Sequence, residues 1–394
     1  MNILYNITWL RHLQLQNQAK KWAKLGLITK EEEANILATY PVGFYMPTKW
    51  VTFGLFIFTL ILLLAIAGLV TVLFTSNNIS VEGTLRILLF IFSFACFFMT
   101  EYYKKNKHYF HAGTDDALLW AGLATGISAM ATVFFEIVTA ELAPIPTFLF
   151  GFVLCLFTAY RYLDKVIALT TVLFWFLFLF FLSAALGKTV KALLPFIACA
   201  NGIVLYFLSK RGTKSEKGIY LRDCLLVAEA SALLIAYLSV NYFVVRELSA
   251  LMFDNISEEG KEIPFAFLFY FFTVSVPLAY VILGLRRKDS VLLRIGLLLI
   301  AVAILTIRYY HSLLPIETAL TIGGLFLIAF SYFSIRWLKK VPYGFTYEEQ
   351  GSSSLGVAES LMVVQTFGKG PHSSSNGPKL GGGDFGGAGA TEGY

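Results

Sequence analysis

The sequence predicts an all-α, polytopic integral membrane bundle of about ten transmembrane helices, and three observations carry that reading. The 394 residues are 57% hydrophobic and 14% charged, with 37 Phe and a mean hydropathy of +0.70, which excludes an ordinary soluble enzyme or a secreted domain. About ten apolar runs each approach the roughly 20 residues that a helix needs to cross the hydrocarbon core. Lys and Arg alternate between dense and sparse loops in step with those runs, 24 on one side and six on the other. That bias favours an even span count with both termini in the cytoplasm, because one missed or invented span would invert every later loop.

Residues 1–48 read as a cytoplasmic helical hairpin. Trp9, Leu10, Leu13, Trp22 and Leu25 are spaced for an amphipathic helix over 8–25 that Gly26 ends. Thr29-Lys30-Glu31-Glu32 is a capping box, in which the Thr hydroxyl accepts from the N3 amide, Glu32 reaches back, and the acidic first turn suits the helix dipole. The second helix runs through Ala34, Ile36 and Leu37 until Pro41 stops it. Its Lys-Glu-Glu-Glu start would repel phosphates, so nucleic acid is not an expected partner.

The bundle, residues 49–340, holds expected spans at 51–74, 85–103, 117–140, 144–163, 165–187, 190–209, 221–245, 264–285, 290–308 and 316–338. The connections at 163–165 and 187–190 are so short that they demand antiparallel hairpins, unless a short span there is re-entrant. Trp50, Tyr102, Tyr103, Tyr160, Tyr162, Tyr309, Tyr310, Tyr332 and Trp337 fall at span ends, where amphipathic rings prefer the interface. Cys96, Cys155, Cys199 and Cys224 sit in or beside apolar runs with no paired spacing and read as small buried residues. The amino terminus lacks the pattern of a cleaved secretory signal, so the first span is expected to direct insertion. Residues 341–394, rich in Ser and Gly, cannot bury enough surface to fold and read as a disordered cytoplasmic tail.

The stretch Trp22-Ala-Lys-Leu-Gly26-Leu-Ile-Thr-Lys-Glu31-Glu-Glu-Ala34-Asn-Ile36, followed by Leu64-Ala-Ile-Ala-Gly68 in the first span, resembles the amino terminus of the prokaryotic membrane-protein family known as domain of unknown function 2157. That family shows a Trp, then Gly-Leu-Ile-Ser/Thr, an acidic residue and an Ile before several spans. The likeness covers about the first 75 residues, and Glu33 stands where the family often has Ala. It implies a bacterial inner-membrane protein and brings no activity with it.

Ionisable groups at membrane depth either pair internally or do work. Glu229 lies about 12 Å beyond Leu221, near the midplane, and Asn201 of the preceding span falls at a similar depth. A proton site and a hydrogen-bonded packing pair both fit those two residues. Glu136, near the outer end of its span, can reach headgroups, and Arg294 can snorkel or pair with Asp223 or Glu229. His108, His111, Asp115 and Asp116 have the residue types of a divalent-metal site, with His-x-x-His on one helical face. The neighbouring Lys104, Lys105 and Lys107 oppose a cation, so a polar loop with Asp115 or Asp116 capping the third span, and no metal, is the expectation. Gly122 and Gly126 form a G-x-x-x-G that lets a second helix approach closely.

No nucleotide-binding, serine-hydrolase or zinc-protease motif is present, so no familiar enzyme and no cofactor are expected. An intramembrane enzyme acting on lipid or isoprenoid would need Asp, His or Arg clustered at one interface, which only the second cytoplasmic loop approaches, and two other functional readings stand ahead of it. In the first, the bundle is a transporter or flippase with Glu229 in proton coupling. In the second, it is a non-transporting envelope scaffold whose hairpin and tail bind protein partners. The lipid bilayer is a partner in both, and oligomeric state is not readable.

Overall fold

A computed structural model of the chain describes residues 3–75, 81–215, 218–252 and 265–310, with scattered helical positions between Thr318 and Arg336. The described residues form helices and no strand: α1 (Ile7–Lys24), α2 (Lys30–Thr39), α3 (Lys49–Thr75), α4 (Val81–Asn106), α5 (Thr114–Ile137), α6 (Pro144–Tyr162), α7 (Lys165–Ala185), α8 (Lys188–Thr213), α9 (Gly218–Leu238), α10 (Tyr242–Met252), α11 (Ala266–Arg287) and α12 (Ser290–Tyr310). Eight of these, α3 to α8 with α11 and α12, are individually long and apolar enough to cross a bilayer. The chain is a multi-pass membrane protein.

Local chemistry sets the helix ends. Asn6 accepts from the Thr8 amide at 2.9 Å to open α1, and the Thr29–Glu32 capping box forms at the head of α2. Pro144 opens α6, where its missing N–H goes unneeded. Asp164 opens α7 by accepting from the amides of Val166 and Ile167 at 2.7 and 3.0 Å. Asp289 does the same for α12 through Val291 and Leu292, at 3.1 and 3.3 Å.

The expected span 221–245 is corrected. It breaks between Leu238 and Tyr242, and α9 and α10 diverge by 71°. The cause is Asn241, whose buried side chain accepts from the amides of Phe243 and Val244 at 3.0 and 3.4 Å and so restarts a helix in a new direction. Tyr242 then stacks on Tyr270 of α11 at 3.9 Å between ring centroids. Of the expected span 316–338 only scattered helical positions are described, and the expected tail at 341–394 lies outside the described residues.

The helices pack mainly as sequential hairpins, α4 with α5, α6 with α7, α8 with α9 and α11 with α12, and α9 also touches α7, α11 and α12. Without a hydrophobic drive between helices in lipid, close approach depends on small residues. Gly126 sits where a Cβ would come within 2.7 Å of Ser93 Oγ on α4, and that hydroxyl donates to the Gly122 carbonyl at 2.7 Å. At Gly202 of α8 a Cβ would meet the Ala236 Cβ of α9 at 2.7 Å and the Ala232 carbonyl oxygen at 2.9 Å.

The α1–α2 hairpin docks on the end of the bundle where α4, α6 and α8 finish. The Leu4 amide donates to the Arg161 carbonyl at 3.2 Å, Arg11 donates to the Tyr220 hydroxyl at 2.6 Å, and Tyr5 and Leu10 are buried with Leu163 against Phe44 and Phe110. Substituting Gly202→Ala should cost about 1–3 kcal/mol by overpacking the α8–α9 contact. Gly54→Ala, with nothing within 4 Å of its added methyl, should stay within about 0.5 kcal/mol of wild type. Thermal unfolding of both variants in one detergent checks the pair.

Candidate functional site

The densest polar chemistry lies at that same end, between α4, α5 and the start of α7. Lys104, near the end of α4, and Asp115, in the first turn of α5, form an ion pair with both side chains fully buried. Lys104 also donates to the Tyr5 hydroxyl at 2.8 Å and lies 3.7 Å from the Asp116 carboxylate. The other Asp115 oxygen accepts from the Ala112 amide at 2.9 Å. Asp116 meets His111 Nδ1 at 3.0 Å, and Trp120 Nε1 donates to Asp164 at 3.2 Å. Arg161 pairs with Glu101 beside this group, and the Tyr162 hydroxyl reaches the same carboxylate at 3.5 Å.

Two carboxylates, Asp115 and Asp116, therefore share one ammonium, and a charged His111 beside Asp116 would balance them. Burial opposes the imidazolium, but the hydrogen bond to Asp116 and its charge outweigh that, and the His111 pKa is raised. Burial pushes the Tyr5 phenol up against the pull of Lys104, so Tyr5 stays neutral. Ligand atoms of His111, Asp116 and Asp164 lie within 4.8 Å of one another, a set able to hold a divalent ion. The Lys104 ammonium at 3.7 Å from Asp116 already supplies positive charge to that set.

The histidine pattern read from sequence is corrected. His108 and His111 lie in the non-helical turn between α4 and α5, both at positive φ, and face different groups. His108 packs edge-on against Trp9, with ring centroids 5.0 Å apart. Neither Asp115 nor Asp116 is the cap of α5; Gly113 holds that position with no side-chain cap. Asp164 and Tyr5 are the members that sequence reasoning missed, and Lys104, read there only as one of three lysines opposing a cation, was not singled out. Asp164 had a readable signal, a lone carboxylate between two apolar runs at a helix start, whereas Lys104 looks like any loop lysine and Tyr5 gains its role only on docking.

Glu229 is 4% exposed in α9 and makes no hydrogen bond among the described residues. The charges within electrostatic reach of it are Asp289 and Lys210, which pair with each other while the Tyr206 hydroxyl donates to Asp289 at 2.9 Å. Asn201 does not join it; its amide donates to the Ile197 carbonyl on its own helix at 2.9 Å. Glu136 pairs with Arg86 of α4 and is 61% exposed. Arg294 is half-buried with no ion pair among the described residues, and Asp223, one of its expected partners, pairs with Lys165 at 2.6 Å.

Lys104→Met should cost about 3–5 kcal/mol by leaving the Asp115 carboxylate buried and unpaired, and adding Asp115→Leu should recover much of the loss. Thermal unfolding in detergent reads both. His111 contributes stability that is complete below its ordinary pKa of about 6.5 and is lost as pH rises through the raised value. His111→Gln should flatten the fall in unfolding temperature of the wild type across neutral pH. Family models, curated proteins and solved structures give no match to this chain, so its functional reading rests on the geometry above.

Proposed function

We propose that this chain is a transporter of the bacterial inner membrane with both termini in the cytoplasm, and that Glu229 takes up and releases the coupling proton. The observation that carries the reading is a carboxyl buried inside a membrane helix with no hydrogen-bond partner among the described residues. Its surroundings support the assignment. Tyr206, Lys210 and Asp289 form a polar entrance at one end of the bundle. Eight residues beyond Glu229 along α9, Tyr237 begins a second buried polar group. Asn241 donates to the Tyr237 hydroxyl at 2.8 Å and to Thr306 at 3.2 Å, and the Thr273 hydroxyl accepts from the Tyr242 amide at 3.0 Å. Interrupted helices with buried polar groups at the break are a recurrent feature of secondary transporters. The Lys/Arg bias supports the orientation, and the resemblance of residues 22–36 implies the bacterial inner membrane.

The scaffold reading keeps one observation in its favour. Trp22, Leu25 and Leu27, at the α1–α2 turn, are 37%, 43% and 68% exposed and would suit a protein partner.

Proton flux into proteoliposomes under an imposed potential tests the transport reading. Wild type should conduct and Glu229→Gln, at matched incorporation, should fall to the level of empty vesicles. Equal flux in both, or none in a folded wild type, overturns it.

A further inference from the structure

A cleft of about 450 Å³ runs between α6 and α7 on one side and α8 and α9 on the other. Its volume falls within the roughly 300–1,000 Å³ of small-ligand sites. The walls are apolar, with Leu156, Val172, Trp175, Val204, Leu208 and Ala228 among them. Leu156, Val204 and Leu208 each remain more than half exposed, so the cleft opens sideways, in the direction where hydrocarbon surrounds a membrane bundle.

One end of the cleft is basic. Leu221 and Ser209 close it where α9 begins and α8 nears its end. Arg211 follows Ser209 by two residues and Arg222 follows Leu221 directly, both exposed and neither in an ion pair among the described residues. Docking of α1 adds Arg11, whose guanidinium meets the Tyr220 hydroxyl at 2.6 Å rather than a carboxylate. The carboxylate of Asp223 is already neutralised by Lys165. Three cations with no acidic partner among the described residues thus stand at the mouth of an apolar, laterally open slot.

We propose that this cleft is a site for an anionic membrane lipid, with an acyl chain between α6–α7 and α8–α9 and the headgroup phosphate against Arg11, Arg211 and Arg222. The charge complementarity selects the lipid class, since a zwitterionic headgroup would bring its own ammonium to a mouth that is already positive. The site is separate from Glu229, and the inference stands whether or not the chain moves protons.

The full-length protein in mixed micelles, titrated with phosphatidylglycerol or with phosphatidylcholine of the same acyl chains, tests this by thermal shift and native mass spectrometry. Wild type should retain and be stabilised by phosphatidylglycerol in preference. The variant Arg11→Gln/Arg211→Gln/Arg222→Gln should lose about tenfold or more of that preference while keeping its phosphatidylcholine binding. Val204→Trp, which fills the slot from its exposed side, should weaken retention of both lipids. Equal response of wild type to the two lipids overturns the proposal. So does an unchanged preference in the arginine variant, or retention unaffected by Val204→Trp, which a cleft filled by another part of this chain would give.

Discussion

The buried ion pair between Lys104 and Asp115 is the contact on which one whole end of the molecule depends. Such a pair is a weak source of net stability, because desolvating two charges offsets most of their attraction. What it imposes is a set of further partners. Lys104 reaches the Tyr5 hydroxyl, and the second Asp115 oxygen takes the Ala112 amide, so the amino-terminal segment and the α4–α5 turn are drawn to the same point. Phe44 and Phe110 then close around the Tyr5 ring at 5.8 and 5.0 Å between centroids, and Trp9 follows against Phe44 at 5.3 Å. The docked position of the hairpin is thus a consequence of a charge that the bundle could not leave unsatisfied.

The same device recurs at two tight turns. After α6 the chain passes through Leu163 in the left-handed region and then Asp164, which caps α7; after α11 it passes through Lys288, also left-handed, and then Asp289, which caps α12. In each turn one carboxylate oxygen serves the new helix and the other serves a neighbour, Trp120 in the first case and Tyr206 with Lys210 in the second. A cap alone would define only where a helix begins. A cap that also binds a distant helix defines where that beginning sits, and it links α5 to α7 and α8 to α12 at membrane ends where unsatisfied amides are costly.

How much of this was legible in the sequence depends on the range of the interaction. Eight of the spans were readable because their apolar runs are local and long, and the capping box at Thr29 because all its parts lie within four residues. The break at Asn241 was not, since Asn between Val240 and Tyr242 has no local mark separating a restart from an ordinary buried amide; its partners Thr273 and Thr306 are distant in the chain. Lys104 was hidden by a general rule. Lysines at span ends orient a protein in its membrane, and that expectation leaves no reason to single out the one that turns inward. His108 and His111 misled through spacing, because a three-residue interval carries meaning on a helix and none in a turn at positive φ.

This contrast separates Glu229 from the other buried charges. Lys104, Asp115, Asp164 and Asp289 each hold partners that account for their burial, and all sit near the end of the bundle where water is one step away. Glu229 lies a further three turns into α9, beside the field of the Lys210–Asp289 pair yet outside hydrogen-bonding contact with it. A direct partner would offset the cost of burying the charged form, as Lys104 does for Asp115. Beyond Glu229 along the chain, the Tyr237–Asn241–Thr306 group gathers polar contacts at the break between α9 and α10. A Leu at this position would fill the space with no charge to desolvate, so the carboxyl carries a cost that packing alone does not require.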